Sequence, residues 1–326
     1  MRNIGVLALG GTFFCKQTPQ GLSPGYTLED LCARFPEMRA YPYEQLKLPS
    51  GLLDSNACVT MGYIAELFSC IRDAYDAFDG LLLISGTDRM CRIAARLAFF
   101  IRNNRKPLIM TGAMYPPDDN RSDVVSNYVQ GMQMLQQTNI TGGTYIAFAD
   151  KVIPMVDAMK IDADNREAFV PHSYTAKDLL QYATTERQGP PIFDFAFDEN
   201  IGVLTPDASA ADIDHMLVNR AALILHCAGT DGITPAQNGA ICHWLDRGKI
   251  VVVKSENARG ATSIGTYAVS TAMHEREVLS AVGMPNDTVY AKIGYLLAKT
   301  KGDLPAFRSG WNQNVVGELG PNLFQG

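Results

Sequence analysis

The sequence predicts an α/β fold, with a doubly wound, mostly parallel sheet in a larger N-terminal domain and a smaller α/β C-terminal domain. Three observations lead there. Short apolar runs alternate with amphipathic segments five times between residues 4 and 148, the pattern of strands and helices that build a parallel sheet. Two of those runs close on glycine turns, Gly10-Gly11 and Gly86. The length of 326 residues, 47% of them hydrophobic, suffices for two medium cores.

In chain order, Ile4-Gly5-Val6-Leu7-Ala8-Leu9 reads as a buried first strand running into Gly10-Gly11-Thr12. The two glycines permit a sharp turn that exposes the Thr12 hydroxyl. Their spacing lacks both the G-x-G-x-x-G of a dinucleotide site and the Gly-Lys-Ser/Thr of a P-loop. A hydroxyl nucleophile is the sharper reading. Residues 13–25 are polar and broken by Pro19, Gly21, Pro24 and Gly25, which predicts a surface loop of the length used for a lid. A helix over 27–35, a short strand over 46–48, a loop carrying Asp54-Ser55-Asn56 and a helix over 60–75 follow.

The organising stretch is Leu81-Leu82-Leu83-Ile84, then Ser85-Gly86-Thr87-Asp88, then Met90, Ile93, Ala94, Leu97 and Ile101 at helical spacing. It reads as a strand over 80–84 feeding a helix over 89–104. Thr87 and Asp88 therefore sit at a strand's carboxyl end, where open α/β sheets bind ligands, beside a helix amino terminus that favours anions. A Thr-Asp pair there serves equally well as an N-cap, so a second motif is needed to decide. A strand over 107–111, a helix over 122–137 and a strand over 144–148 complete the first domain, 1–181. Residues 182–197, holding Gly189-Pro190-Pro191, read as a linker. The second domain, 198–326, has strands over 202–204, 222–226 and 250–254 and helices over 211–218, 235–247 and 288–299.

The second motif is the ensemble. A first strand ending Gly10-Gly11-Thr12, then Asp54-Ser55, Gly86-Thr87-Asp88, Thr111-Gly112-Ala113 and Lys160, in that order, resembles the bacterial-type L-asparaginase family of asparaginases and glutaminases. The second half resembles it more loosely, through Cys227-Ala228-Gly229-Thr230, Ser255-Glu256-Asn257 and the segment around Lys292. The resemblance implies hydrolysis of a side-chain carboxamide to a carboxylate and ammonia, with Thr12 as nucleophile and Thr87, Asp88 and Lys160 as a proton relay. It makes Ser55 a donor to the substrate's α-carboxylate and Asp88 the holder of its α-ammonium. Gly11, Asp54, Gly86 and Ala113 would line the substrate site. It also implies a tyrosine on the lid loop, for which Tyr26 is the nearest candidate and Tyr41 and Tyr43 are weaker ones. A homodimer or homotetramer is implied, each site lying against a neighbour's second domain. Without the resemblance, Lys160 reads as a solvated charge, Ser55 as a helix cap and Tyr26 as a core anchor.

Two departures bear on the substrate. The family's His-Gly-Thr-Asp-Thr reads Ser85-Gly86-Thr87-Asp88-Arg89 here, and its Gly-x-Gly-Asn in the second domain reads Cys227-Ala228-Gly229-Thr230-Asp231. Arg89, Arg92 and Arg96 share one helix face, which reads as a solvated stripe. Arg89 alone is close enough to Asp88 to pair with it or to bind an added anionic group on a substrate. Two classes follow: an amidohydrolase acting on asparagine, glutamine or a derivatised relative, or a binding or regulatory protein on the same fold. Survival of Thr12, Thr87, Asp88 and Lys160 together favours the enzyme.

Composition narrows the rest. Seven cysteines, an odd number with no C-x-x-C pair, suggest neither a disulfide framework nor a zinc site. His226 and His243 lack metal-ligand spacing, so neither a metal nor another cofactor is expected. A net charge of −6 with dispersed basic residues argues against nucleic acid and for a small-molecule substrate. No apolar run has membrane-spanning length, which predicts no membrane partner. The start Met1-Arg2-Asn3 leads into a strand without signal-peptide features, which predicts a cytoplasmic protein.

Overall fold

The computed structural model describes residues 1–51 and 59–320, so Asp54 and Ser55 lie outside the described residues. The chain divides into two units, Met1–Phe195 and Ala196–Gly326. In the first, six strands pair in the order Glu44–Leu46, Ile4–Ala8, Gly80–Ile84, Leu108–Thr111, Thr144–Phe148 and Lys151–Pro154. All neighbours are parallel except the last pair. The chain leaves its first strand in both directions, to Glu44–Leu46 on one side and to Gly80–Ile84 on the other, which is the doubly wound arrangement.

The strands are apolar because both faces of the sheet are covered. Every residue of Gly80–Ile84 is buried. The helix Met61–Ala74 is capped by Thr60, whose hydroxyl accepts from Tyr63 N, and it buries Tyr63, Ile64, Leu67, Phe68 and Ile71 at the 3–4 residue spacing of one helical face. In Met90–Phe100 ten side chains are buried, so this helix lies deep in the unit.

Three expectations change. Residues 13–25 are not an irregular loop: Thr12–Phe14 forms a 3-10 turn, and Cys15–Thr18 pairs antiparallel with Gly21–Pro24. Lys16 and Gln17 are exposed, so the hairpin carries no apolar alternation for a sequence reading to detect. The short strand is Glu44–Leu46 rather than 46–48. The helix expected to run to 104 stops at Phe100, because Ile101–Arg102 turns into a strand paired antiparallel with Ile192–Phe193. Arg102 and Asp194 add an ion pair at 3.1 Å there, so part of the stretch read as a linker packs in the first unit.

The second unit has four parallel strands, Ile201–Leu204, Ala222–Cys227, Ile250–Ser255 and Leu279–Ser280, in that order. Its helices Ala210–Asn219 and Pro235–Leu245 open on capping boxes, Ser209 with Asp212 and Thr234 with Gln237, which satisfy the first free backbone N–H groups. Asn286–Thr300 and Leu304–Trp311 follow. Among the described residues no helix is long and apolar enough to cross a membrane.

Candidate active site

The site is assembled at the carboxyl edge of the first sheet, where three adjacent parallel strands end. Leu9 N donates to Ile84 O at 2.8 Å, which extends the pairing of the first and third strands one residue past the sheet. Gly10 and Gly11 then turn at φ 124° and 87°, left-handed values that glycine alone adopts readily. A Cβ on Gly11 would lie 2.3 Å from Gly86 Cα. The two backbones are therefore in contact, and the residues after each glycine, Thr12 and Thr87, emerge at the same edge. Phe13 and Phe14 behind Thr12 are fully buried, each stabilising the turn by about 1.5–3 kcal/mol.

The third strand end closes the other side. Ser85 N donates to Thr111 O at 2.8 Å, and a Cβ on Gly112 would lie 2.2 Å from Ser85 O. Ala113, next in the chain, is buried. The following turn is held by two residues the sequence reading missed, Asp123 and Asn127. The Asp123 carboxylate accepts from Met114 N and Tyr115 N, both at 3.0 Å. Asn127 Nδ2 donates to Asp123 Oδ2 at 2.9 Å and to Gly112 O at 3.0 Å. An aspartate opening a predicted helix, with an asparagine four residues on, was the available signal.

Lys160 reaches the edge from elsewhere. It ends the strand Ala158–Lys160, paired antiparallel with Phe169–Pro171. Asp157, also missed, anchors this hairpin by accepting from Ser173 N and Oγ at 2.9 and 2.7 Å and from Tyr174 N at 2.9 Å. Burial raises the Asp157 pKa, and these bonds oppose the rise. Lys160 Nζ donates to Thr87 Oγ1 at 3.0 Å and to Asp88 Oδ1 at 2.6 Å. The lysine side chain is 17% exposed and that of Asp88 is 70% exposed, so the pair is dry at one end and open at the other. Asp88 Oδ2 has no partner among the described residues.

The helix after this motif starts later than a capping role for Thr87 or Asp88 requires. Its N-cap position is held by Arg89, which makes no side-chain cap bond. Thr87 is buried while Asp88 and Arg89 are exposed. The arginines are not a solvated stripe: Arg92 is half-buried and Arg96 is buried, with Arg96 Nη1 donating to Val59 O at 2.8 Å. The face they share turns inward along a helix that the sheet covers.

Tyr26 lies beyond the hairpin with its hydroxyl on an ion pair. It donates to Asp118 Oδ1 at 2.9 Å and accepts from Arg34 Nη1 at 2.9 Å, while Arg34 and Asp118 are 2.6 Å apart. The Lys16 ammonium stands 4.2 Å over its ring. Tyr41 and Tyr43 pack against the first unit's core.

The arrangement suits chemistry on an amide or ester: a hydroxyl follows one glycine turn, and a second hydroxyl, after the glycine in contact with it, accepts from a lysine that also pairs with a carboxylate. Comparison with known proteins gives the class. Residues 3–188 match the family described as "Asparaginase, N-terminal", and the chain belongs to the asparaginase family. It is 28% identical to "L-asparaginase 1" of Escherichia coli K12, covering 98% of this chain and 99% of that one. It is 25% identical to the "L-asparaginase" of Thermococcus kodakarensis, covering 96% and 98%. The solved structure of the thermostable L-asparaginase from Thermococcus kodakarensis superposes with a TM-score of 0.86 over 97% of this chain and 99% of that chain, at 22% identity, and shares the fold. The protein is thus an L-asparaginase-type amidohydrolase.

Proposed function

We propose that the enzyme hydrolyses the side-chain carboxamide of asparagine or of a related amide through a threonine nucleophile, Thr12. The contact of Lys160 Nζ with Thr87 Oγ1 and Asp88 Oδ1 at 3.0 and 2.6 Å, beside the touching Gly11 and Gly86, carries this reading. Thr12 Oγ1 attacks the carboxamide carbon, its proton passing to Thr87 Oγ1 as Thr87 passes its own to Lys160 Nζ, which has yielded one to Asp88 Oδ1; Lys160 then protonates the departing ammonia and recovers the proton held on Asp88. Backbone N–H groups at the two glycine turns stabilise the oxyanion, a contribution typically worth about 3 kcal/mol per donor. Water then cleaves the acyl-enzyme, with Thr87 and Lys160 exchanging the proton again. Asp88 Oδ2 faces solvent and suits the substrate's α-ammonium, while the resemblance alone assigns Ser55 to the α-carboxylate and Asp54 to the lining of the substrate site.

The reading includes the homo-oligomer that the resemblance implies and a cytoplasmic location, with which the free thiols of Cys15, Cys32, Cys70, Cys91, Cys227 and Cys242 agree. Light scattering at micromolar concentration checks the first part, and a monomer alone would count against it. The decisive experiment is Thr12→Val, which keeps the shape and deletes the hydroxyl. Ammonia release from asparagine, glutamine and extended carboxamides is expected to vanish while the circular dichroism stays unchanged. Substantial residual turnover would transfer the nucleophile's role to Thr87.

A further inference from the structure

We infer that the opposite, amino-terminal edge of the same sheet binds a small phosphorylated anion. A cleft of about 560 Å³ in the second unit has its Arg308 already paired with Glu277 at 2.8 Å, so it offers no uncompensated charge. A second cleft, of about 500 Å³, lies where Arg2, Asp79 and Arg105 to Pro107 lead into the strands Ile4–Ala8, Gly80–Ile84 and Leu108–Thr111. Its size is in the usual range for small-ligand sites. Four basic side chains, Arg2, Arg105, Lys106 and Arg187, line it against two acidic ones, Asp79 and Glu186. That local excess of positive charge sits in a chain whose net charge is −6.

Three of the four cations are held in place by the fold, and Arg105 is exposed beside them. Arg2 Nη1 donates to Leu135 O at 3.2 Å, near the end of the helix Val124–Gln136. Arg187 Nη1 donates to Thr185 O at 2.8 Å, and its guanidinium stands 4.8 Å over the Tyr182 ring. Gly143, at φ 101°, leaves it room, because a Cβ there would lie 2.9 Å from Arg187 Nη2. Lys106 Nζ rests on Tyr75 O and over the Tyr75 ring. All these anchors are carbonyls and ring faces. None of the four cations forms an ion pair among the described residues, and Asp79 instead accepts from Asn3 N at 2.8 Å.

Holding like charges together without counterions is unfavourable, and an anion with several oxygens relieves it by charge-assisted hydrogen bonds. Each guanidinium carries five donors and spends at most two of them on the carbonyls above. A di- or triphosphate chain, free or on a nucleoside, fits that donor set. The strands separate this edge from Thr12 by roughly 17 Å at about 3.3 Å per residue, so the anion does not enter the hydrolytic site.

The test is calorimetric titration of the full-length protein with pyrophosphate, tripolyphosphate and ATP at low salt, with sulfate as control. Saturable binding at one site per chain is expected, weakened roughly 10- to 100-fold in Arg105→Glu, the usual range for losing charged hydrogen bonds. Further loss is expected in Arg105→Glu/Arg187→Glu, with ammonia release from asparagine unchanged in both variants. ATP binding tighter than tripolyphosphate identifies a nucleotide, and equal binding identifies the phosphate chain alone. The proposal falls if the wild type gives no saturable heat, or if Arg105→Glu binds as well. It falls equally if sulfate matches pyrophosphate, which means an adventitious ion only, or if duplex RNA binds and pyrophosphate does not.

Discussion

Two lysine–carboxylate contacts of equal length, one in each unit, have opposite surroundings. Lys160 and Asp88 meet at 2.6 Å with the carboxylate 70% exposed, while Lys292 and Glu318 meet at 2.6 Å with both side chains 0% exposed. The second pair is closed on itself. Lys292 Nζ also donates to Gln313 O at 2.8 Å, and Glu318 accepts from Val315 N at 3.1 Å and Val316 N at 2.8 Å. It thereby ties the chain after Leu304–Trp311 back to the helix Asn286–Thr300. Burial lowers the Lys292 pKa and the charge of Glu318 opposes that shift. The first pair leaves one carboxylate oxygen without a partner among the described residues. Distance alone does not separate the two pairs; the unspent hydrogen-bonding capacity around the first does.

Four substitutions or conditions press on that contrast, in falling order of expected effect. Lys160→Met should lower turnover by about 10²–10⁴-fold, the usual range for a lost general acid–base group, with little change in KM. Equal losses in kcat and in substrate affinity would make Lys160 a ligand for the ground state instead. Lys292→Met should leave Glu318 buried and unpaired and lower stability by about 3–5 kcal/mol, as breaking a buried pair does. Denaturant melts read this directly, and Lys292→Met/Glu318→Leu should recover much of the loss. A single variant as stable as the wild type would remove the structural role.

Arg89→Thr probes the open end of the first pair. For a substrate bearing an additional carboxylate it should cost about 1.5–3 kcal/mol in kcat/KM, the worth of a hydrogen bond to a charge, while asparagine hydrolysis stays equal or improves. If neither substrate responds by more than about 0.5 kcal/mol, the range of ordinary surface changes, Arg89 has no part in specificity. The smallest effect concerns the half-exposed Arg34–Asp118 pair that holds Tyr26. Hydrogen bonds from Arg34 and then Tyr26 keep the Asp118 pKa below its ordinary value. A carboxylate with a lowered folded pKa contributes stability that is present above its unfolded value and lost as pH falls through the folded one. Hydrogen exchange in the hairpin Cys15–Thr18/Gly21–Pro24 should therefore rise below about pH 4, and Asp118→Asn should raise it already at neutral pH. Unchanged exchange in that variant would separate the hairpin from the ion pair.

What the sequence by itself determined is local. Runs such as Leu81–Leu82–Leu83–Ile84 are apolar on both faces, so they specify a covered parallel strand wherever they occur, and Gly10-Gly11 and Gly86 specify sharp turns at the ends of two of them. The order of Gly-Gly-Thr, Gly-Thr-Asp and Lys160 specified the family. Tertiary structure decided which of these fragments meet. Gly11 and Gly86 touch because the first and third strands are neighbours, which no spacing in the chain states, and Lys160 arrives across 72 residues on a hairpin anchored by the buried Asp157. The same holds for what was misread. The 15–24 hairpin has polar side chains and so no periodic signal. Arg96 lies on a face whose burial depends on the sheet above it, and Lys292 gives no sign in sequence of the glutamate it will meet. Hydrophobic period records which face is covered, but a buried polar group acquires its meaning only from the partner that the packed fold brings to it.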